Sequence, residues 1–307
     1  MTIITEAADK IYEIKPEGKD LDHFPLSAVY LVVDDKMALI EAGCPVQATE
    51  IYEALETLGY NAEELSYIIP THVHGDHAGG AGVLAQRMPQ AHVLARPKAA
   101  KLLADPSVTD RLMQSFKHVF GDDAEERFGM MPPVPQEKFV LVEDGESIPL
   151  GRKELKVIHT PGHSPNHLCF LDTISKGVFS GDALGAYFSD LEVIFTCPVP
   201  GSDPLLAIQS MENLQELKPE MLFFSHGCAT RDAAKIIKSS IDQARQCHNA
   251  ALETLKAGKD KKEIALRITE IIAGGSAQVI ADFSNWPYLI PMTVGGYQQY
   301  FKKNNII

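Results

Sequence analysis

The chain has 307 residues, with 28 lysines and arginines against 41 aspartates and glutamates, a formal charge of −13. That balance repels phosphate backbones and anionic bilayers, and so argues against nucleic acid and membrane surfaces as partners. At 45% hydrophobic residues a buried core is within reach, and five scattered cysteines (Cys44, Cys169, Cys197, Cys228 and Cys247), never in a C-x-x-C pair, argue against a disulfide framework.

The first ten residues lack the basic start and apolar run of a signal peptide, and no stretch is long enough to span a bilayer, so a cytoplasmic location is expected. β-rich runs at 28–33 and 37–41 flank the polar turn Asp34-Asp35-Lys36 and predict an antiparallel hairpin. Pro45 then opens a helix in which Ile51, Leu55 and Leu58 share one face, ending near Gly59. A short strand at 66–70 and a helix at 81–88 follow.

Between these two lies Thr71-His72-Val73-His74-Gly75-Asp76-His77-Ala78-Gly79-Gly80, with three imidazoles and a carboxylate in six residues. His72 and His74, two apart, share a face only in extended backbone, so both can reach one metal ion. Gly75 is expected to free the backbone for a turn, after which Asp76 and His77 address a second ion. Surface histidines in a polar loop are the plain alternative, and four ligand-type side chains at this spacing outweigh it.

A strand at 92–95 continues the alternation of strands and helices. Residues 97–135 interrupt it with helical segments at 98–103 and 108–120 and a Pro- and Met-rich run, which reads as an inserted helical cap. Its Phe116, Phe120, Phe128, Met130 and Met131 either line an apolar pocket or pack on the core. Strands are predicted at 138–142, 155–159, 167–171 and 177–180, then a helix at 204–217 and a last strand at 221–225. Beyond Arg231 the pattern is amphipathic helix, at 232–257, 260–273 and 286–302. The chain is thus expected to divide into a catalytic domain, 1–230, and a helical extension, 231–307. That extension, with aromatic rings in its 282–288 loop, is expected to narrow access to the site or form a homodimer contact.

The His-x-His-x-Asp-His run resembles that of the metallo-β-lactamase-fold superfamily of metal-dependent hydrolases. Further motifs follow in that family's order: Thr160-Pro161-Gly162-His163-Ser164-Pro165, Ser180-Gly181-Asp182-Ala183 and Phe223-Phe224-Ser225-His226-Gly227, so the likeness covers about residues 10–230. It implies an α/β fold, a four-layer αββα sandwich of two facing mixed β-sheets flanked by helices, with C-terminal helices added. It also implies that His72, His74 and His163 hold one metal, that Asp76, His77 and His226 hold the other, and that Asp182 bridges them. The two divalent ions are expected to be zinc, with iron or manganese as alternatives.

The activity implied is hydrolysis of a small ester-like carbonyl substrate, a thioester or lactone, by a metal-bridging hydroxide. Asp76 would orient that hydroxide or take its proton, and Tyr187 is a candidate to set a hydroxyl over the metals, with buried packing as its other reading. His167 is expected to hydrogen-bond rather than ligate, and Glu41 stands where many relatives have Asp. His23, His118, His159 and His248 read as ordinary histidines, and Cys228 as a small core residue. The C-terminal helices lack a basic, glutathione-binding cluster of the glyoxalase II kind, and His74 stands where oxygen-reducing diiron relatives have Glu. Two other readings stay open: a mononuclear iron persulfide dioxygenase, and a regulatory protein that binds a metabolite.

Overall fold

The computed structural model describes residues 2–16, 26–196, 198–276, 278–280 and 288–306. Its first sheet follows chain order: β1 (Ile3–Ala8), β2 (Ile11–Lys15), β3 (Val29–Val33), β4 (Met37–Ile40), β5 (Tyr67–Ile69), β6 (His92–Ala95) and β7 (Phe139–Leu141) lie side by side in sequence. Pairing is antiparallel from β1 to β4 and parallel from β4 to β7. The parallel pairs are those joined through helices, because a helical crossover returns the chain to the same end of the sheet. Those crossovers carry α1 (Ala48–Thr57), α2 (Gly75–Ala78) with α3 (Ala81–Arg87), and α4 (Pro97–Leu103) with α5 (Pro106–Phe120) and α6 (Ala124–Phe128).

The second half builds β8 (Ser147–Pro149), β9 (Glu154–His159), β10 (Leu168–Asp172) and β11 (Gly177–Gly181). A separate hairpin, β12 (Ala186–Phe188) and β13 (Val193–Phe195), and helix α7 (Pro204–Glu216) precede β14 (Met221–Phe224). β14 pairs with β11 in parallel and completes a mixed sheet of order β14-β11-β10-β9-β8. Helices α8 (Ala233–Lys256), α9 (Lys261–Ala273) and α10 (Leu289–Lys303) follow.

β3 reads as an unbroken apolar run because both of its faces are buried. Tyr30 and Val32 point inward and meet Phe170, Phe179 and Phe223 of the second sheet, while Leu31 points outward to Ile51, Leu55 and Leu84 on the covering helices. Across the second sheet, Val178, Leu222 and Phe224 are covered by Ile208 and Met211 of α7 and Ile236, Ile237 and Ile241 of α8. These are the four layers of the αββα sandwich. Because α8 supplies part of the outer layer, the expected division near residue 230 runs through a shared core. The remaining helices form a further core with the hairpin, in which Phe195 meets Ile268, Val294 and Phe301.

Three features depart from the sequence expectation. β1, β2, β8 and the β12–β13 hairpin are additional strands, and α6 is an additional helix. Phe128 is fully buried and clusters with Phe116 and Phe120, which favours packing over pocket lining, whereas Met130 is exposed. Cys228 is partly exposed rather than a core residue. Of the 282–288 loop only Tyr288 lies among the described residues, with its ring 5.2 Å from Phe120.

The second sheet also encloses an ion pair: Lys153 Nζ lies 3.8 Å from Asp172 Oδ2, with side chains 2% and 0% exposed. Lys153 Nζ and Asp172 Oδ1 have no hydrogen-bond partner among the described residues. Removing one partner strands the other charge in the core, so Lys153→Met is expected to destabilise the fold by about 3–5 kcal/mol. Adding Asp172→Asn removes the stranded charge and should restore much of that in a denaturant titration. A double variant no more stable than Lys153→Met would show that packing, not charge, is what was lost.

Candidate metal centre

The parallel strand β5 delivers the first cluster. After Ile69-Pro70 the chain is caught at once, since Thr71 N–H donates to Glu41 Oε2 (3.0 Å) and Thr71 Oγ1 donates to Glu41 Oε1 (2.7 Å). With its own proton committed, Thr71 Oγ1 can only accept from His72 Nδ1, 3.0 Å away, which leaves the His72 Nε2 lone pair free to face the site. His74 lies just before α2, and its carbonyl accepts from His77 and Ala78 N–H groups at 3.1 and 2.8 Å. Asp76 and His77 therefore sit on a helical turn rather than an open loop. Gly75 has ordinary helical backbone, and its role is space: a Cβ there would lie 2.4 Å from Met131 Cε and 2.7 Å from Phe116. Cap residues thus pack directly on the ligand turn.

The other side chains arrive from the second sheet. His163 follows β9 through Gly162, whose φ of +139° and contact with Ala207 exclude a side chain. Asp182 follows Gly181 (φ +48°), where a Cβ would fall 2.6 Å from His167 Nε2. His226 follows β14, with its carbonyl accepting from Tyr187 N–H (2.8 Å).

Two groups of side chains able to hold a metal ion result: His72, His74, His163 and Asp182, and Asp76, His77 and His226. In the first, His74 Nδ1 is 2.8 Å from His72 Nε2 and 3.0 Å from His163 Nε2, and Asp182 Oδ2 is 3.2 Å from His163 Nε2. In the second, His226 Nε2 is 3.2 Å from both His77 Nε2 and Asp76 Oδ2. Asp182 faces both groups, its Oδ1 lying 3.4 Å from His77 Nε2 and 3.6 Å from His226 Nε2.

The electrostatics divide along the same line. Burial drives His72 well below the usual imidazole range, His74 to about 3 and His163 to about 4, so these rings are neutral and their lone pairs available. Burial also opposes charge on His77 and His226, but Asp182 and Asp76 overcome it and raise both. Burial pushes Asp76 and Asp182 up, yet neighbouring imidazoles hold both carboxyls below their ordinary value.

Glu41 is the residue whose weight the sequence understates. Fully buried at φ +71°, it also accepts from His77 Nδ1 (2.9 Å) and Ser225 Oγ (2.7 Å), tying the end of β4 to both ligand loops. Its hold on Nδ1 directs His77 Nε2 into the site. Glu41→Gln is expected to weaken metal retention by about 10–100-fold, read by chelator competition. Unchanged retention would mean that His77 keeps its orientation unaided.

His167 is neutral, its pKa pulled to about 3 by burial. Its Nε2 accepts Asp182 N–H (3.1 Å), so Nδ1 donates to Thr160 Oγ1 (2.8 Å), a positioning role consistent with the expectation. Tyr187 has its ring 5.6 Å from that of Phe224, and it lines a cleft with Asp232 and Lys235, which favours the packing reading of this residue. His118, His159 and His248 belong to neither group, and His23 lies outside the described residues.

The donors fit a cation on a structural test. Asp182 Oδ1 is buried without a hydrogen-bond partner among the described residues, and His74 Nδ1 faces two imidazole nitrogens although it can donate to only one. Nitrogen and carboxylate donors of this kind suit zinc, iron or manganese.

Comparison with known proteins agrees with this fold. The metallo-β-lactamase fold-containing protein ST1585 of Sulfurisphaera tokodaii is 31% identical over 206 residues, 66% of this chain and 74% of the relative. The solved structure of ST1585 from Sulfolobus tokodaii aligns at a TM-score of 0.69 and 25% identity over 95% of this chain and 99% of that one, so the likeness reaches into the C-terminal helices. An atrochrysone carboxyl ACP thioesterase of Aspergillus fumigatus is 26% identical over 67% of this chain and 39% of its own length. An N-acyl homoserine lactonase of Bacillus thuringiensis is 26% identical over 62% of this chain and 67% of its own length. The family profile of the metallo-beta-lactamase superfamily matches residues 24–226, a span that starts ahead of β3 and stops on the last candidate ligand, and the chain belongs to that superfamily.

Proposed function

We propose that the chain is a hydrolase of small ester-like carbonyl compounds, thioesters or lactones, working with two divalent ions, zinc foremost. The observation that carries this reading is Asp182, one carboxylate whose two oxygens face two separate ligand groups. His72, His74 and His163 would hold one ion, Asp76, His77 and His226 the other, and Asp182 both. When bound, such a pair of ions acidifies a water towards neutrality and polarises the substrate carbonyl. Asp76 orients the attacking water and takes its proton on a carboxylate oxygen. Glu41 and His167 fix the ligands' orientation. Tyr187 has no part in this reading.

Relatives named as a thioesterase and a lactonase, each 26% identical, support the substrate class. The charge of −13 disfavours polyanionic substrates. Among the described residues no helix is long and apolar enough to cross a membrane. The test is elemental analysis of metal-replete protein, followed by hydrolysis assays across thioesters, lactones, phosphodiesters and β-lactams. Two ions per chain with thioester or lactone turnover is the expected result. One iron per chain with oxygen uptake on a persulfide would replace this reading with the dioxygenase.

A further inference from the structure

Beside the ligand groups the structure has a small recess of about 30 Å³, bounded by His163 and Asp182 on one side. Its other walls include Thr196, Pro198, Met211, Ala244 and Tyr297. Two of these, Ala244 and Tyr297, belong to helices beyond residue 231, and the extension also fixes a third. Gln243 Oε1 accepts from Thr196 N–H (2.9 Å) and Oγ1 (3.1 Å). Tyr297 is held in turn, 1% exposed, stacked 6.0 Å from Phe301 and edge-on to His248 at 6.0 Å. One residue earlier, a Cβ on Gly296 would lie 2.2 Å from the Pro198 carbonyl, so α10 is pressed against the segment that forms the wall. The wall is therefore well packed, and its shape is set by large, immobile side chains.

A water-sized group needs about 10–15 Å³ by this kind of measure, so the recess takes about two heavy atoms. Resting on the hydrolase reading above, we propose that it is the acyl subsite, and that Tyr297 and Ala244 restrict the substrate to short, unbranched acyl groups. A carbonyl carbon beside Asp182 has two substituents. The leaving group must depart to solvent and is the larger part of any carrier thioester, so it lies on the open side. The small recess fits the other substituent, and Met211, Ala244, Pro198 and the Tyr297 ring offer it mainly apolar surface.

The experiment uses the metal-loaded full chain and a series of acetyl, butyryl, hexanoyl and octanoyl thioesters of one thiol. kcat/KM is expected to fall about tenfold or more between acetyl and butyryl, whose three-carbon chain exceeds the recess by one methylene, since excluding even one methylene is worth about 10–200-fold. Ala244→Leu, which fills the recess, should lower acetyl turnover at least tenfold with metal content unchanged. Met211→Ala, which lengthens it, should shift the preferred acyl group by about two carbons. Tyr297→Ala would enlarge it most but removes a fully buried ring, so the two smaller changes carry the test. Binding of propionate and octanoate by calorimetry gives a readout independent of turnover.

If no thioester is cleaved but propionate binds and Ala244→Leu abolishes that binding, the subsite stands and the hydrolase reading falls. If all chain lengths are cleaved alike and Ala244→Leu changes nothing, the hydrolase reading stands and the subsite is refuted. Absence of both cleavage and propionate binding would overturn both.

Discussion

Replacing Asp76 with Asn is expected to leave the fold intact and lower turnover by about 10²–10⁴-fold, the usual contribution of a positioned base. Asp76 is 9% exposed on the short turn α2, its Oδ2 within 3.4 Å of His77 Nε2 and 3.2 Å of His226 Nε2. Burial pushes its carboxyl up, and the two imidazoles more than reverse that, so the group is ionised and can accept a hydrogen bond from a water. Asn keeps the shape and one acceptor oxygen but cannot take the proton. Because an amide also ligates less well than a carboxylate, metal content must be measured on the same preparation. The matched control is Ser189→Ala, an exposed position whose hydroxyl reaches only Asp190 among the described residues, and it should retain nearly full activity. A fully metal-loaded Asp76→Asn protein that hydrolyses substrate at the parent's rate would remove this carboxylate from the chemistry.

The second large effect is expected at Asp182. Its Oδ2 faces His163 and its Oδ1 faces His77 and His226, so one substitution touches both groups. Two dications held close together repel, and an anion between them offsets that repulsion. Asp182→Ala should therefore empty both positions together, with affinity falling by more than the about 10–100-fold typical of changes outside the ligand shell. Elemental analysis after dialysis against a weak chelator reads this directly. Loss of a single ion, with the other retained at parental affinity, would confine Asp182 to one group.

Much of this was legible in the sequence for a local reason. His72, His74, Asp76 and His77 are packed into one loop, and each later candidate follows a strand whose apolar run is easy to see, as with Met221–Phe224 before His226. The less legible parts depend on partners distant in sequence. β2 holds the charged Glu13 at a buried position because the Tyr30 hydroxyl donates to it at 2.9 Å, a pairing that no local pattern reveals. β8 is three residues long and gains its character only from pairing with β9. Tyr187 looked suited to catalysis from its distance to Asp182 along the chain. Its ring instead packs against Phe224, and whether a side chain faces in or out of a three-residue strand is a matter of register. Glu41 looked like a minor variation because the value of a carboxylate depends on who donates to it, and its four donors come from Thr71, His77 and Ser225.

The first sheet adds its strands in the order in which they are translated, whereas β14 must return to β11 and dock beside the start of β3, with Ala28 N–H donating to the Ser225 carbonyl at 2.7 Å. A chain emerging from the ribosome N-terminus first therefore exposes the complete four-residue group by residue 182, well before His226 exists. Nascent chains stalled with residue 200 clear of the exit tunnel should accordingly capture one ion, and the second only when β14 has closed. Cellular metal supply would then act on this protein during its birth as well as after it.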